Sequence, residues 1–339
     1  MVKKIVLFVL ASIAFISCKQ DLPTKPYSYY HWKTEFSLPQ SEKKLISNSL
    51  SEKLYLRFFD IVYNEKQQNA LPVATTQFTT DTTLPFNKVV PVIFIRNSVF
   101  TNASNVNLEQ LARNTIQKID RLLSKNFNNT IICEDIQIDC DWSQSTKTAF
   151  FSFLEHLKKY SPDRSITSTV RLHQIKYREK TGVPPVDKVV LMAYNVGDIS
   201  DSNQKNTIIN NTITAKYLER LKTYPIKYNV ALPIFEWGIL YRNGKIIGLI
   251  NQYNDQDIKA NFNLISETTY IAKNETYIDG NFIYEGDKLR IETVPKKQLK
   301  ELAVLIKEAS VIDYETIFYH VSSPLILKFS EDDIKDLVK

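Results

Sequence analysis

Short strand-like segments alternate with amphipathic helical segments along most of the chain, and this alternation restricts the fold more than any other feature of the sequence. Alternating strands and helices are typical of parallel sheets in which a helix crosses over between successive strands. Eight segments have the strand pattern: residues 30–36, 53–61, 89–96, 132–142, 165–174, 188–195, 229–237 and 316–321. In a chain of 339 residues, this count predicts an α/β fold, a (β/α)₈ barrel of the TIM type.

The helical segments carry apolar residues at three- and four-residue spacing, most clearly in residues 108–124, 145–160, 214–223 and 297–309. Two regions depart from the alternation. Residues 62–86 are rich in Gln, Asn and Thr, which predicts an irregular connection. Segments 277–284 and 288–294, joined by Glu285-Gly286-Asp287, predict a β-hairpin in an insertion at about residues 251–295, before the last helix and strand. We expect residues 28–339 to form one barrel domain that includes this insertion.

The first residues have the pattern of a secretory signal peptide. Lys3-Lys4 precedes an apolar run over residues 5–16, which is too short to span a membrane permanently. The run ends in Phe15-Ile16-Ser17-Cys18, which resembles the lipobox of bacterial lipoproteins. The resemblance implies that residues 1–17 are removed and that Cys18 is lipidated. An ordinary signal peptide and an uncleaved anchor are the alternatives.

Residues 18–27 are polar and contain proline, as expected of a tether between a lipid and a folded domain. Lys19-Gln20-Asp21 resembles the charged export signals of surface lipoproteins in some bacteria. We therefore expect a protein of the bacterial cell envelope, attached to the membrane through Cys18. The expected location is the outer membrane, with the protein exposed at the surface.

Charge and cysteine content exclude several classes of function. The net charge of +6 is spread along the chain without a dense Lys/Arg run, so we expect no nucleic-acid partner. Cys133 and Cys140 have neither metal-ligand spacing nor a CxxC arrangement, and we expect buried free thiols, with a disulfide between them as the alternative. Asp139, Asp141, His173 and His320 have oxygen and nitrogen donors, but no close-spaced motif unites them, so we expect no metal and no cofactor.

One strand carries an unusual set of polar residues. In an extended segment over residues 136–143, alternate side chains face opposite ways. Gln137, Asp139, Asp141 and Ser143, here called the polar stripe, share one face, whereas Ile136, Ile138, Cys140 and Trp142 share the other. Two carboxylates on a buried strand need partners or a ligand. The polar stripe is therefore a candidate site, and a hydrogen-bonded polar layer inside the barrel is the alternative.

Polar and aromatic residues gather at the carboxyl ends of the predicted strands, where barrels of this type have their active sites. Asp139, Asp141 and Glu236 are the catalytic candidates. The candidates for ligand binding are Trp32, Arg96, Gln137, Ser143, His173, Gln174, Tyr194, Asn195 and Trp237.

Three of these segments resemble motifs of the family 18 glycoside hydrolases, the chitinases and endo-β-N-acetylglucosaminidases. The polar stripe is similar to the family's Asp-x-x-Asp-x-Asp-x-Glu pattern, with Asp139 and Asp141 at the second and third aspartates. Leu191-Met192-Ala193-Tyr194-Asn195 resembles Met-x-Tyr-Asp on the sixth strand, and residues 231–237 resemble a Gly-x-Pro-x-Tyr stretch on the seventh. The resemblance implies a barrel that recognises glycans containing N-acetylhexosamine.

The chain departs from this family at the position that matters most for catalysis. Ser143 stands where the family has the glutamate that protonates the glycosidic oxygen, and serine cannot act as that acid at neutral pH. The family's aspartate at the position of Asp141 orients the substrate's N-acetyl group. Glu236 is the best substitute acid, because it lies at a predicted strand end and could pair with Asp139 or Asp141. A structural ion pair of Glu236 with Arg96 or Arg171 is the alternative.

Three functional hypotheses follow. The first is a surface lipoprotein that binds a glycan or glycoprotein through a degenerate glycoside-hydrolase barrel, with partner proteins in an envelope complex for glycan uptake. The second is an active glycoside hydrolase whose acid has moved to Glu236. The third is a structural subunit of an envelope complex, which predicts no open pocket at the strand ends.

Overall fold

The structure is a computed structural model that describes residues 25–49, 51–79, 83–127, 130–201, 204–322 and 328–339. The predicted signal peptide and Cys18 lie outside these ranges. No helix in the described part of the chain is both long enough and apolar enough to cross a membrane. Cys133 and Cys140 are free thiols, as predicted, but only Cys140 is fully buried.

The elements up to the sixth barrel strand are β1 Tyr27–His31, β2 Glu35–Phe36, α1 Gln40–Ser47, β3 Lys53–Asn64, β4 Asn69–Val73, β5 Gln77–Phe78, β6 Lys88–Ile95, α2 Ser98–Thr101, α3 Leu108–Phe127, β7 Asp135–Asp139, α4 Lys147–Tyr160, β8 Ser165–Arg171, α5 Leu172–Lys176, α6 Arg178–Thr181 and β9 Lys188–Met192.

The remaining elements are α7 Asn211–Leu218, β10 Tyr228–Pro233, β11 Trp237–Arg242, β12 Lys245–Ile250, α8 Asp255–Asn261, β13 Phe262–Leu264, β14 Thr269–Ala272, β15 Thr276–Ile278, β16 Asn281–Ile283, β17 Lys288–Glu292, α9 Lys296–Ala309, β18 Thr316–Tyr319 and α10 Glu331–Asp336. Short 3₁₀ turns cover Ala103–Asn105 and Leu221–Thr223.

Eight parallel strands form a closed barrel in the order β1, β3, β6, β7, β8, β9, β10 and β18. The barrel closes because β1 pairs with β18 on one edge and with β3 on the other. Each of the eight predicted strand segments overlaps one of these strands, so the predicted (β/α)₈ fold is confirmed. The four clearest helical segments are present as α3, α4, α7 and α9.

The two faces of β7 show why this sequence forms a barrel strand. Ile136 and Ile138 are fully buried, and Trp142 beyond the strand stacks on Phe150 of α4 with ring centroids 5.1 Å apart. The opposite face carries Gln137, whose side chain accepts a hydrogen bond from Tyr30 of β1 at 2.8 Å. Apolar contacts therefore fix the helix-facing side of β7, and polar contacts span the barrel interior.

Several strands end earlier than predicted: β1 ends at His31 rather than at residue 36, β7 at Asp139 rather than at 142, and β9 at Met192 rather than at 195. The strand predicted over residues 165–174 ends at Arg171, because Gln174 folds back and accepts a hydrogen bond from the Arg171 N–H at 2.8 Å. His173 and Gln174 therefore lie in the short helix α5. The seventh barrel strand ends at Pro233, and Trp237 begins β11 of the insertion.

The connection after β3 is more regular than the composition predicts. Strand β3 continues to Asn64, turns back and pairs with β4 in antiparallel fashion. The Asn64 side chain stabilises the turn by accepting hydrogen bonds from the N–H groups of Lys66 and Gln67, both at 3.0 Å. The prediction of an irregular connection is therefore wrong for this part of residues 62–86.

An antiparallel insertion precedes the last helix and strand, as predicted, but it is larger and paired differently. Its main sheet has five strands in the order β12, β11, β17, β14 and β13. The segment predicted as one strand over residues 277–284 turns at Asp279-Gly280, where both residues have positive φ, so β15 pairs with β16. Strand β17 pairs with β11 and β14 instead. The insertion has its own apolar core, which includes Leu240, Phe262 and Leu289.

The central apolar positions of β7 carry a large share of the barrel's stability. Ile138→Ala is expected to lower the free energy of unfolding by about 2 to 5 kcal/mol, because it removes buried methyl groups and leaves a cavity. Ile247→Ala, on an insertion strand where the side chain is 40% exposed, is the matched control and is expected to cost less than about 1 kcal/mol. Urea unfolding of both variants tests this difference, and equal losses would contradict it.

Candidate functional site

A cleft of about 950 Å³ lies between the barrel and the insertion, at the carboxyl ends of β1, β9, β10 and β18. Residues that directly follow those strands form one wall. The insertion provides the other wall from the segments 249–257 and 277–279. The aromatic side chains of the lining are Trp32, Phe235, Trp237, Tyr253, Tyr277 and Tyr319.

An aromatic cluster forms the barrel side of the cleft, with Tyr319 at its centre. The Tyr319 ring stacks on Tyr194 at a centroid distance of 5.1 Å and an interplanar angle of 20°. Trp32 and Phe235 approach the same ring at 5.7 and 5.4 Å. These offset and tilted arrangements are the ones that aromatic quadrupoles favour. Tyr194, predicted to bind ligand, is 4% exposed and lies against Tyr319.

Neutral amide groups make up much of the polar lining, and Asn195 is the most distinctive of them. Its backbone has a φ of +55°, and its N–H donates to the carbonyl of Ile208 at 2.8 Å. The buried Oδ1 atom has no hydrogen-bond partner among the described residues. An unsatisfied buried acceptor at a cleft wall can be satisfied by a ligand or by water. The insertion adds Asn251, Gln252 and Asn254.

The charged side chains in the lining are each engaged by a neighbour. Lys33 Nζ donates to Glu42 at 2.9 Å. The Asp279 carboxylate accepts hydrogen bonds from the backbone N–H groups of residues 251 and 252 at 2.6 and 3.2 Å. Asp257 accepts a hydrogen bond from the Asn254 side chain at 2.6 Å. The Glu236 carboxylate forms an ion pair with Lys328. Because these charged groups are already engaged, the neutral amide and hydroxyl groups are the main hydrogen-bonding groups that the cleft offers to a ligand.

Glu236 lines the cleft, as expected of a residue near the seventh strand end, but its partner was not foreseen. The carboxylate pairs with Lys328 rather than with Arg96 or Arg171, which were the predicted alternatives. Burial and the nearby Glu236 carboxylate both raise the pKa of the Tyr253 hydroxyl. Arg96 is exposed at the end of β6, outside the cleft lining.

The polar stripe divides into an interior part and an outer part. Gln137 and Asp139 form the interior part. Gln137 is fully buried and accepts the hydrogen bond from the Tyr30 hydroxyl, and Asp139 accepts a hydrogen bond from Thr169 Oγ1 at 2.6 Å. Asp141 lies beyond the strand and forms a bidentate ion pair with Arg171, whose Nη2 is 2.5 Å from Oδ2. The outer carboxylate is therefore partnered before any ligand is present.

Ser143 participates in the turn that leads into α4. Its N–H donates to Thr146 Oγ1 at 2.9 Å, and its hydroxyl is 2.9 Å from that of Ser145. Thr146 in turn donates to the Asn97 side chain at 2.7 Å. Ser143 thus has local hydrogen bonds that orient the start of a helix.

His173 and Gln174 also lie outside the cleft lining. Gln174 is 2% exposed, and its Nε2 donates to the Trp142 carbonyl at 2.9 Å. His173 is exposed on α5, where partial burial and the Arg171 charge lower its pKa. Of the predicted site residues, the structure brings Trp32, Asn195, Glu236 and Trp237 together in the cleft.

Asp139 has an unusual electrostatic position inside the barrel. Burial, supported by repulsion from Asp141, raises its pKa from 3.8 to about 6, while the Thr169 bond and Arg171 oppose the shift. A second acid, Asp60 of β3, also repels it and is paired with Arg57 at 2.8 Å. The barrel interior thus contains a carboxyl group whose protonation changes in the mildly acidic range.

A buried carboxylate that the sequence analysis missed connects the insertion to the cleft. Oε2 of Glu292, a fully buried residue, accepts hydrogen bonds from the Thr207 N–H and hydroxyl at 2.9 and 2.7 Å and from Trp237 Nε1 at 3.0 Å. Arg290 lies 2.8 Å from the other oxygen. The signal in the sequence was three charged residues, Lys288, Arg290 and Glu292, on one face of a strand whose other face is apolar.

Other cleft residues were missed because they come from the insertion or from the last strand itself. Tyr253, Tyr277 and Tyr319 line the cleft, and only Tyr319 lies in a predicted barrel strand. The polar and aromatic run Asn251-Gln252-Tyr253-Asn254 was the available signal.

Comparison with known proteins found similar structures but no matching family or curated sequence. No family model matches the chain, and no curated protein matches it. A chitinase from Chromobacterium violaceum ATCC 12472 is 11% identical and covers 92% of this chain and 97% of its own, with a TM-score of 0.49. A chitinase from Bacteroides thetaiotaomicron is 12% identical, with coverages of 93% and 94% and a TM-score of 0.45. The Bacillus cereus spore cortex-lytic enzyme SleL is 14% identical, with coverages of 87% and 70% and a TM-score of 0.47.

Asp139→Asn is expected to stabilise the protein at neutral pH and to reduce its dependence on pH. Because the folded-state pKa is raised, the folded protein binds this proton more tightly than the unfolded chain. The stabilisation from the proton is present below pH 3.8 and is lost as the pH rises through about 6. Above about pH 6, the raised pKa lowers the free energy of unfolding by about 3 kcal/mol relative to a carboxyl group with the ordinary pKa. An asparagine at this position carries no charge and can still accept the hydrogen bond from Thr169.

Urea unfolding across the acidic and neutral pH range measures the effect. Asp135→Asn, at the other end of β7, is the matched control and should retain the wild-type pH dependence. An Asp139→Asn protein that also retained it would show that Asp139 does not bind its proton more tightly on folding.

Proposed function

We propose that this protein is a lipid-anchored, glycan-binding barrel of the bacterial cell envelope, and that the cleft between the barrel and the insertion holds the glycan. The observation that carries the proposal is the lining of this cleft, in which six aromatic side chains accompany neutral amides. Flat apolar faces beside hydrogen-bonding groups suit pyranose rings, which have apolar faces and a polar rim.

The electrostatics of the cleft favour an uncharged sugar. Lys33, Glu236, Asp257 and Asp279 are each engaged by a neighbour, so an ionic ligand would have to displace an existing pair. Burial lowers the pKa of His320, at the cleft edge, to about 4, so this side chain is neutral at pH 7. N-acetylhexosamine residues, which carry a neutral amide, meet these requirements.

The contacts of the candidate catalytic groups favour binding of a glycan without its cleavage. Ser143 has no acidic proton to donate at neutral pH, and its hydrogen bonds hold a helix start. Asp141 is paired with Arg171, which leaves it poorly placed to orient a substrate amide. Asp139 is buried inside the barrel.

A glycoside hydrolase with Glu236 as the acid is the second candidate, and the place of Glu236 in the cleft lining favours it. Its ion pair with Lys328 weighs against it, because a general acid must present a proton to the glycosidic oxygen. A purely structural subunit requires a closed surface at the strand ends, and the open cleft argues against that hypothesis.

The envelope location rests on the amino-terminal sequence. Lipidation of Cys18 would hold the barrel at a membrane surface. Attachment to the outer membrane would expose the cleft to extracellular glycans. Partner proteins of an uptake complex would then receive the bound sugar.

A glycan array followed by calorimetry on the glycans that bind tests the proposal. Trp32→Ala and Tyr277→Ala are each expected to weaken binding by about tenfold or more, roughly 1.4 kcal/mol, because each removes an aromatic face from the cleft. Affinity should change little between low salt and about 0.5 M salt, since no ion pair forms with the ligand. Tyr177→Ala, which alters an aromatic residue 47% exposed outside the cleft, is the matched control.

Product analysis on each bound glycan separates the hypotheses. Intact glycan supports the binding function. Cleavage that disappears in Glu236→Gln would establish the hydrolase instead, and absence of binding to any glycan would favour the structural subunit.

A further inference from the structure

The described chain begins beside a loop that precedes the last barrel strand. The Lys25 N–H donates to the carbonyl of Val338 at 3.2 Å, and Lys25 Nζ forms an ion pair with Asp313 at 2.6 Å. Asp313 belongs to the segment 310–315, here called the entry loop. The tether that leads from Cys18 therefore reaches the folded domain at the entry loop.

The entry loop lies at the end of the barrel opposite the cleft. Tyr27 of β1 and Val230 of β10 are both in register with Thr316 of β18, and all three strands are parallel. Residues that precede these strands are therefore at the amino-terminal end of the barrel. The cleft is lined by residues that follow the same strands, such as Trp32 and Phe235.

Two adjacent apolar side chains of the entry loop face solvent. Val311 is 65% exposed and Ile312 is 37% exposed. The loop has a defined conformation, because the Ser310 hydroxyl lies 2.6 Å from that of Tyr228 and donates to the Ile312 carbonyl at 2.9 Å. The two apolar residues are thus held outward at the end of the barrel where the tether arrives.

A lysine lies beside this apolar tip. Lys25 is paired with the exposed Asp313 of the loop, whereas Lys227 is exposed directly before β10, whose first residue Tyr228 lies beside Tyr314 with ring centroids 6.2 Å apart. Apolar side chains that enter the boundary between lipid headgroups and acyl chains, with lysine at the headgroups, are characteristic of interfacial membrane contacts.

The length of the tether restricts the possible orientations of the domain. Six residues, 19–24, lie between Cys18 and Lys25, so seven peptide units connect the two positions. A fully extended chain of that length spans at most about 25 Å. A lipid on Cys18 therefore holds the amino-terminal end of the barrel close to the bilayer, and the opposite end can point outward.

From these observations we infer that the entry loop docks on the phospholipid surface, with Val311 and Ile312 in the headgroup region, and that the cleft opens away from the membrane. This inference rests on the lipid anchor of the proposed function. It adds a protein–lipid contact that fixes the orientation of the domain.

The full lipidated protein in vesicles of phosphatidylcholine and phosphatidylglycerol provides the test. Val311→Cys, in a Cys133→Ser background, carries an environment-sensitive dye, and lipids with a nitroxide near the headgroup act as quenchers. We expect most of the fluorescence at position 311 to be lost on adding quencher lipid. Phe282→Cys, 48% exposed on the insertion hairpin, is the matched control and should keep its fluorescence.

Quenching at position 282, or at neither position, would overturn the inference. The fluorescence of the dye at position 311 is also measured without vesicles at several protein concentrations. A change with concentration would overturn the inference too, because a second copy of the chain would then cover the loop. Mass measurement of the amino-terminal peptide identifies the cause of a failure. A peptide without acyl chains removes the lipid anchor from the proposed function and the docking with it, whereas an acylated peptide with an unquenched dye rejects docking alone.

Discussion

The closed barrel, and with it the cleft at its rim, depends on the hydrogen bonds that β1 makes along both of its edges. A parallel sheet of eight strands has two unpaired edges until its first strand bonds to its last, and pairing of β1 with β18 and with β3 removes both edges. Closure brings the carboxyl ends of all eight strands to one rim. It also brings Tyr30 of β1 within hydrogen-bonding distance of Gln137 and buries Asp139 inside the barrel.

The polar stripe shows how a barrel interior selects among similar residues. Asp139 faces inward, where loss of hydration favours the protonated acid, and one threonine hydroxyl only partly offsets that effect. Asp141, two residues later, lies at the rim and pairs with Arg171 from the neighbouring strand. The same residue type therefore loses its hydration at one position and gains a charged partner at the next. Neither carboxylate is free to meet a ligand without rearrangement.

The barrel itself was predictable because its signals are local. Buried strands are short apolar runs and helices repeat at three and four residues, so each segment carries its own evidence. The site was only partly predictable, because its contacts join distant parts of the chain: Glu236 meets Lys328, and Glu292 meets Thr207. The hairpin pairing failed for a related reason. Asp279-Gly280 forms a turn inside the segment predicted as one strand, and pairing of β17 with β11 spans about fifty residues that no local pattern describes.

The contacts of Glu292 have a consequence for how this domain can vary. One carboxylate of the insertion holds both the loop after the sixth barrel strand, through Thr207, and an indole of the cleft wall, through Trp237. Excising the insertion to obtain a minimal barrel would leave the Thr207 N–H and hydroxyl without their acceptor and would also remove Trp237 from the cleft wall. Grafting the insertion onto another barrel would carry the buried charges of Arg290 and Glu292 to a site without these donors. Insertion and barrel are thus expected to be inherited and engineered together rather than exchanged as separate modules.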